Sequence, residues 1–229
     1  MKTYPLFALL LDRPCLVVGG GTVGERKVQD LLQAGARVTV VSRDLTPTLA
    51  AQAAQGQIHY IPGDFSPKHL DGMLLVIGAT NDPETNAQVS AAAQARGLFV
   101  NIVDQPELCT FIVPAQVRRG PLTIAISTGG ASPALARKLR EDLEKHFGPE
   151  YTPYLRVLHG VRTRILARRR GHPGNAALFE QLVSSPLKEA LAQDDGPRAL
   201  AILKELLEGL IPSEELAQAL AEAGQEEKA

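Results

Sequence analysis

The chain has 229 residues, of which 45% are hydrophobic and 21% charged, and this composition is typical of a folded globular protein rather than a disordered one. No apolar run reaches the roughly 20 residues of a membrane span, and Asp12 and Arg13 end the short apolar run at the N-terminus too early for a signal peptide. A formal net charge of −1 argues against a generally basic nucleic-acid-binding protein. The two cysteines, Cys15 and Cys109, form no CxxC motif, which predicts a reducing, cytoplasmic location.

The first half of the chain alternates short apolar or β-branched runs with segments of helical spacing. The run Met73–Ile77 is apolar throughout, as in a strand buried on both faces of a sheet. Strand–helix alternation of this kind predicts an α/β fold, a Rossmann-type doubly wound parallel sheet with helices on both faces. The predicted strands are 15–18, 37–41, 58–61, 73–77, 98–102 and 111–113. One predicted helix contains Val23 and ends at the Gly35 stop, the second covers 45–55, and the third starts at Asp82 and runs to Gly97.

The second half changes character after a predicted strand at 121–127. Ser132 is expected to cap an amphipathic helix marked by Leu135, Leu139 and Leu143. The last dozen residues are acidic and rich in alanine, and we expect them to fray. Beyond residue 150 no strand is expected, and the predicted helices are 150–170, 175–184, 186–194 and 197–209.

A Gly-x-Gly-x-x-Gly motif follows the first strand and opens the first helix. Gly19 permits a tight turn, Gly21 lets the backbone approach a pyrophosphate, and Gly24 lets the helix pack close to the strand. The free N–H groups and the partial positive charge of a helix N-terminus attract phosphates. In this strand–turn–helix context the motif predicts a dinucleotide-binding site.

The residues expected near the adenosine ribose follow the second strand, and they leave the choice of cofactor open. Asp44 stands one or two residues beyond the usual ribose-binding carboxylate, and Arg43 is suited to a 2′-phosphate, so the motif does not separate NAD from NADP. Thr80 and Asn81 follow the fourth strand at the edge where nucleotides bind. Thr80 is therefore a candidate cofactor contact, and for Asn81 a simple turn role is equally open.

Asp104 closes the fifth strand at the same edge and is the candidate catalytic residue. A carboxylate beside a nicotinamide ring can act as a general base, and burial against apolar neighbours would suit that role. The alternative is a turn-forming aspartate before Gln105 and Pro106.

Three separated segments resemble the siroheme synthase dehydrogenase/chelatase module. They are the stretch from Leu16 to Lys27, the stretch Asn101–Asp104 followed by Phe111–Ala115, and the stretch from Ile126 to Arg137. The resemblance covers residues 1–150 closely and the helical end loosely. It implies NAD-dependent oxidation of precorrin-2 to sirohydrochlorin in siroheme biosynthesis, followed in many members by Fe²⁺ insertion, and it implies a homodimer.

The resemblance also implies roles for individual residues. Asp104 matches the family's catalytic aspartate, and Thr22 and Val23 match its pyrophosphate contacts. Arg43 and Asp44 match its adenosine contacts, and the family's preference favours NAD. The implied domains are an NAD-binding Rossmann domain at 1–113, a dimerisation region at 114–147 and a helical C-terminal domain at 148–229.

The charges are segregated along the chain. Residues 113–172 carry 12 basic and 4 acidic side chains, whereas residues 173–229 carry 4 basic and 11 acidic ones. A basic segment predicts an anionic ligand, and the resemblance implies precorrin-2, whose carboxylates arginine and lysine can bind. The alternative is a solvated helix face, or pairing with the acidic tail. The candidate substrate-binding residues are Asn101, Arg118, Arg137 and Lys138, with Arg119, Arg140, Arg156, Arg162, Arg164 and Arg168 as further basic candidates.

No protein metal site is predicted, because the five histidines are scattered without ligand spacing. His159, beside the basic helix, is the residue to test for metal delivery. A nucleic-acid partner is disfavoured because no such binding motif accompanies the basic segment. Two alternatives stay open: a dehydrogenase without chelatase activity, and a non-catalytic NAD(H)-sensing regulatory protein that needs the glycine motif but not Asp104.

Overall fold

The computed structural model describes residues 2–225, which divide into two compact units, residues 3–113 and the residues from Pro114 onward. None of the helices in the described part is long and apolar enough to cross a membrane.

The first unit is a five-stranded sheet with helices between the strands. All neighbouring strands are parallel, and their order is β3-β2-β1-β4-β5. This is the strand order of a Rossmann-type fold, so the predicted fold class is confirmed. The strands are β1 (Pro14–Val18), β2 (Arg37–Ser42), β3 (His59–Pro62), β4 (Leu75–Gly78) and β5 (Phe99–Ile102), and the helices are α1 (Thr22–Gln33), α2 (Pro47–Ala54) and α3 (Pro83–Gln94).

The sheet is buried on both faces, and β1 shows why. Cys15 and Val17 pack into the apolar cluster that includes side chains of α1 and α2, whereas Leu16 and Val18 pack into the cluster that includes side chains of α3. All four side chains are buried. Because successive side chains of a strand point to opposite faces, an uninterrupted apolar run fits a central strand between two helical layers.

The second unit begins with a two-stranded antiparallel sheet and continues as helices. Ser132 caps the first helix as predicted, because its Oγ accepts a hydrogen bond from the Leu135 amide at 3.1 Å. Val157, Val161 and Ile165, spaced by four residues, place one face of the next helix in the core of the unit. The elements are β6 (Ala115–Arg119), β7 (Leu122–Ile126), α4 (Pro133–His146), α5 (Tyr151–Arg169), α6 (Asn175–Ser184), α7 (Leu187–Ala192), α8 (Gly196–Leu206) and α9 (Ser213–Gln225).

Three predictions of secondary structure are wrong. Residues 111–113 form no strand, because the chain returns along β5 just before them and bonds to it through single residues rather than a ladder. The sequence does not predict β6, whose polar and basic residues conceal its pairing with β7. The end expected to fray forms α9 up to Gln225, and the rest of that prediction, residues 226–229, lies outside the described residues.

Candidate functional site

The carboxyl ends of four strands meet at one edge of the sheet, here named the carboxyl edge. Val18 at the end of β1 aligns with Val41 in β2 and with Gly78 at the end of β4, and Gly78 aligns with Ile102 at the end of β5. The predicted site residues of the first unit follow these ends: the glycine loop after β1, Arg43 and Asp44 after β2, Thr80 after β4 and Asp104 after β5.

In the glycine loop, Gly19 and Gly24 are packed against main-chain atoms of the protein, whereas Gly21 faces open space. Gly19 has a φ of +114°, and a Cβ there would lie 2.4 Å from a main-chain oxygen of the loop after β4. A Cβ on Gly24 would lie 2.1 Å from the Gly19 oxygen, whereas a Cβ on Gly21 would meet no atom within 4 Å. Gly21 is the N-cap of α1, which has no side-chain cap from the described residues, and Thr22 and Val23 are exposed in the first turn of the helix. The first-turn amides can therefore receive a pyrophosphate, as the motif predicts.

Hydrogen bonds tie the glycine loop and α1 to the segment after β2. The amide of Gly20 donates to Ser42 Oγ at 2.9 Å, and the amide of Thr46 donates to the oxygen of Gly20 at 3.0 Å. The Thr46 hydroxyl donates to the Glu25 carboxylate on α1. The two segments predicted to bind the pyrophosphate and the adenosine are thus hydrogen-bonded to each other.

Arg43, the candidate for a 2′-phosphate, is paired with a carboxylate that the sequence analysis missed. Its Nε donates to Asp64 Oδ1 at 2.6 Å and its Nη2 to Oδ2 at 3.1 Å. The hydrogen bonds from Arg43 hold the pKa of the Asp64 carboxyl below its usual range. Asp44 beside it is exposed. Asp64 lies two residues beyond the end of β3, and β3 pairs in parallel with β2. A carboxylate that follows a neighbouring parallel strand is therefore the sequence feature that points to Asp64.

Thr80 is bound to the chain's own α3. Its hydroxyl donates to Asn86 Oδ1 at 2.8 Å, and Asn86 Nδ2 donates to the carbonyl oxygen of Thr80 at 3.1 Å. Asn86 is buried, and Thr80 Oγ1 also accepts a hydrogen bond from the amide of Asp82, which caps α3. The hydroxyl that was predicted to contact the cofactor therefore also positions the loop after β4.

Asp104 lies in the turn directly after β5. Its side chain is exposed, because the buried part of the strand ends at Ile102, so the burial that would suit a general base is not present there. Its φ is +60°, in the left-handed region that residues other than glycine adopt rarely and aspartate more readily than most. Residues held in such conformations cluster at active sites, and the position at the carboxyl edge agrees with that role.

Lys27 on α1, three residues after Gly24, is a further charged residue near this edge of the sheet. It is half-buried, and burial lowers the pKa of its ammonium group. The carboxylates of Asp30 and Asp104 act in the opposite direction and favour the charged form. The Lys27 charge is therefore within electrostatic reach of Asp104.

Asn101, a predicted substrate contact on β5, is half-buried and already bonded. Its Nδ2 donates to the carbonyl oxygen of Phe111 at 3.0 Å. The side chain therefore holds the segment that returns along β5.

The other predicted substrate contacts belong to the second unit. Arg118 and Arg137 are exposed, and Lys138 is exposed with its Nζ donating to Asp142 at 3.0 Å. Arg119 has a different role, because it donates to the carbonyl oxygen that follows α4 at 2.9 Å. The exposed side chains of Arg118, Arg137 and Lys138 can bind carboxylates, whereas Arg119 stabilises the C-terminal end of α4.

The arginines of α5 are largely engaged within the second unit. Arg164 Nη2 lies 3.1 and 3.2 Å from the two carboxylate oxygens of Glu222, and Arg168 pairs with Glu215. The Arg162 guanidinium lies 4.7 Å from the ring centre of Phe179. These arginines were candidates for an anionic ligand, but the alternative of pairing with the acidic tail describes Arg164 and Arg168, since both glutamates lie on α9 of the same chain.

Across residues 2–225, no group of three or more His, Cys, Asp or Glu side chains is arranged to hold a metal ion. His159 is exposed on α5.

Comparisons with known proteins agree with this geometry. An NAD(P)-binding family model matches residues 6–115, and the model for the central part of sirohaem biosynthesis proteins matches residues 119–146. The siroheme synthase of Methylobacillus flagellatus is 57% identical over 144 residues, which are 63% of this chain and 31% of that protein. The siroheme synthase of Thioalkalivibrio sulfidiphilus is 41% identical over 208 residues, which are 91% of this chain and 42% of that protein.

A solved structure titled SirC, precorrin-2 dehydrogenase, superposes with a TM-score of 0.74 at 28% identity, over 89% of this chain and 98% of that one. The chain thus spans less than half the length of the curated relatives named above, but nearly the whole of this structural neighbour.

Proposed function

Because the chain belongs to the family of siroheme synthase dehydrogenase modules, we propose that it oxidises precorrin-2 to sirohydrochlorin with NAD⁺ in siroheme biosynthesis. The observation that carries the proposal is the placement of Asp104. Its exposed carboxylate stands on a left-handed turn at the carboxyl edge that also bears the glycine loop.

In the proposed reaction precorrin-2 loses one hydride and one proton, and the products are sirohydrochlorin, NADH and H⁺. Bound NAD⁺ supplies the acceptor for the hydride. The open face at Gly21 and the amides of Thr22 and Val23 hold the pyrophosphate, and Gly19 and Gly24 keep the loop in the shape that allows this. The Asp104 carboxylate accepts the proton and passes it to water.

We propose NAD rather than NADP as the cofactor. A 2′-phosphate would be bound by the Arg43 guanidinium, which already donates from its Nε and Nη2 to the Asp64 carboxylate. The Asp64 and Asp44 carboxylates also place negative charge near Arg43, which disfavours a further anion. We propose that Asp44 contacts the adenosine ribose and that Thr80 lies beside the bound nucleotide.

We propose that basic side chains of the second unit bind carboxylates of the substrate. Arg118, Arg137 and Lys138 are exposed cations suited to the carboxylates of precorrin-2 and sirohydrochlorin, with Asn101 as a further contact. We propose residues 114–147 as the dimerisation region of a homodimer and residues 148–229 as a helical domain. Leu135 and Leu139 on α4 are 50% and 40% exposed, which fits a surface that another copy covers.

Insertion of Fe²⁺ into sirohydrochlorin is the second candidate activity, and the relatives titled siroheme synthase favour it. The same carboxylate, Asp104, would accept protons released by the pyrrole nitrogens. The neighbour titled precorrin-2 dehydrogenase favours oxidation alone. We also propose a cytoplasmic location, which suits the free thiols of Cys15 and Cys109.

Anaerobic incubation with freshly generated precorrin-2 and NAD⁺, followed by visible spectroscopy, tests the proposal. We expect the sirohydrochlorin spectrum to appear together with NADH. NAD⁺ binding without any oxidation would instead identify an NAD(H)-sensing protein. Addition of Fe²⁺ or Co²⁺ to sirohydrochlorin, beside a control without protein, separates the bifunctional enzyme from the dehydrogenase alone.

A further inference from the structure

The segment after the Asp104 turn runs back along β5, and residues 106–111 are here named the edge strap. It starts with a short 3-10 turn over Pro106–Leu108. β5 is the last strand of the sheet and has β4 as its only strand neighbour within the described residues. The N–H and C=O groups on its other side therefore need partners, and the edge strap provides them.

Two neighbouring side chains of the strap replace a sixth strand. Thr110 serves Val100, because its Oγ1 accepts from the Val100 amide at 2.9 Å and its own amide donates to the Val100 oxygen at 2.8 Å. Cys109 serves Ile102, because its Sγ accepts from the Ile102 amide at 3.1 Å and lies 3.3 Å from the Ile102 oxygen.

Cys109 also contacts the residue that follows Asp104, because its Sγ lies 3.3 Å from the carbonyl oxygen of Gln105. Before the turn, the same Sγ lies 3.6 Å from Asn101 Nδ2. Burial raises the pKa of the Cys109 thiol, so the sulfur keeps its proton at neutral pH and can donate it to a carbonyl oxygen. The thiol thus contacts the residues on both sides of the turn, Ile102 before Asp104 and Gln105 after it.

Main-chain hydrogen bonds also hold the turn. The Val103 amide donates to the Gly78 oxygen at 2.9 Å, the Gln105 amide donates to the Ile102 oxygen at 3.3 Å, and the Leu108 amide donates to the Gln105 oxygen at 3.1 Å. Within the turn Asp104 has a φ of +60°, and such a conformation persists only where the surroundings determine it.

We propose that Cys109 is a positioning residue for precorrin-2 oxidation, because its thiol holds both ends of the turn that presents Asp104 to the substrate. The proposal rests on the proposed function of Asp104 as the proton acceptor. A general base must stand within hydrogen-bond reach of the proton, and a misplacement of about 1 Å can slow a reaction by about 100-fold. The thiol takes no part in the chemistry.

Two substitutions of Cys109 and one matched control test the proposal in the full-length protein. Cys109→Ala removes the contacts to Ile102 and Gln105, whereas Cys109→Ser keeps a small group that can both donate and accept. Thr110→Val is the control, because it removes a bond from the same strap to the same strand at Val100, away from Asp104. For each variant we would measure kcat and KM for precorrin-2, the Kd for NADH, the melting temperature and the exchange rate of the Ile102 amide.

We expect Cys109→Ala to lower kcat by about tenfold with KM and the Kd for NADH unchanged, since the base is displaced and binding is not. Cys109→Ser should recover most of that loss. Thr110→Val should lower the melting temperature as much as Cys109→Ala but leave kcat near the wild-type value. Exchange of the Ile102 amide should be faster in Cys109→Ala than in the wild type.

Three results would overturn the proposal: a wild-type kcat in Cys109→Ala, equal losses of kcat in Cys109→Ala and Thr110→Val, or a serine variant as slow as the alanine variant. Unchanged exchange of the Ile102 amide would also overturn it, and this measurement needs no substrate. A wild-type protein that binds NADH but does not oxidise precorrin-2 would overturn the proposed function instead, and with it the positioning role of Cys109 in that reaction.

Discussion

The carboxyl edge of the first unit and the α5–α9 pair of the second unit both concentrate charged side chains, but they use them differently. At the carboxyl edge, Asp104 is exposed on a left-handed turn at a strand end. Between α5 and α9, Arg164 and Arg168 face Glu222 and Glu215 and lie in ion pairs. The position of Asp104 at the end of a strand indicates a role in chemistry. The basic residues of α5, by contrast, are neutralised in part by acidic residues of α9 in the same chain.

The largest expected effect comes from Asp104→Asn, which removes the charge at the carboxyl edge and keeps the shape of the side chain. Asparagine tolerates the left-handed conformation, so the melting temperature and the Kd for NADH should stay unchanged. Loss of a general base should lower kcat for precorrin-2 oxidation by about 10²- to 10⁴-fold. A rate close to that of the wild type, measured by visible spectroscopy, would remove Asp104 from the chemistry.

The next largest effect is expected at the glycine loop. Gly21→Val should lower the melting temperature less than a substitution at Gly24, because a Cβ at Gly21 meets no atom within 4 Å. It should weaken NADH binding at least about tenfold, since the new side chain occupies the space of the pyrophosphate. Gly24→Ala is the matched control, because its Cβ would lie 2.1 Å from a main-chain oxygen and should destabilise the fold itself. Equal affinity for NADH in Gly21→Val and the wild type would place the nucleotide elsewhere.

A smaller effect is expected from Asp64→Asn, which removes the negative charge that faces Arg43. The affinity for NADP⁺ should rise by about twofold to fivefold relative to NAD⁺. The effect is small because the Arg43–Asp64 ion pair is exposed, and exposed ion pairs are weak. Asp71→Asn, which removes the exposed partner of Arg96 in the same unit, is the control and should not alter the ratio. Calorimetric titration with both nucleotides measures it, and an unchanged ratio in Asp64→Asn would assign cofactor selection to other residues.

The smallest effect is expected between α5 and α9. A double-mutant cycle on Arg164→Ala and Glu222→Ala should give a coupling of about 0.2–1 kcal/mol in the free energy of unfolding, reduced at high salt. The KM for precorrin-2 should not change, because the pair serves the structure. A rise in KM on substitution of Arg164 alone would return this arginine to the substrate site and weaken the contrast between the two regions.

The sequence predicts the first unit better than the second, and the reasons are physical. The apolar run of β1 and the three glycines of the loop report directly on burial and close approach, so the strand and the turn follow from them. Arg43 and Asp64 are far apart in sequence, and only the pairing of β2 with β3 brings them together.

The helix α9 shows what the composition concealed. Its buried face consists of Leu216, Ala219 and Ala223, at helical spacing but mostly with small side chains, and the acidic residues around them suggest a solvated end. Glu215 and Glu222 of α9 form ion pairs with Arg168 and Arg164 of α5. This pairing cannot be read from the sequence of either helix alone.

The edge strap has a consequence beyond the turn that it holds. An uncovered edge strand is a template on which another polypeptide can add a strand, and this is a common route to aggregation. With the outward groups of Val100 and Ile102 bonded to Thr110 and Cys109, β5 offers no such template at these residues. A chain that added a strand there would first have to displace the residues that fix the Asp104 turn, so sheet growth at this edge would be incompatible with the turn's observed shape.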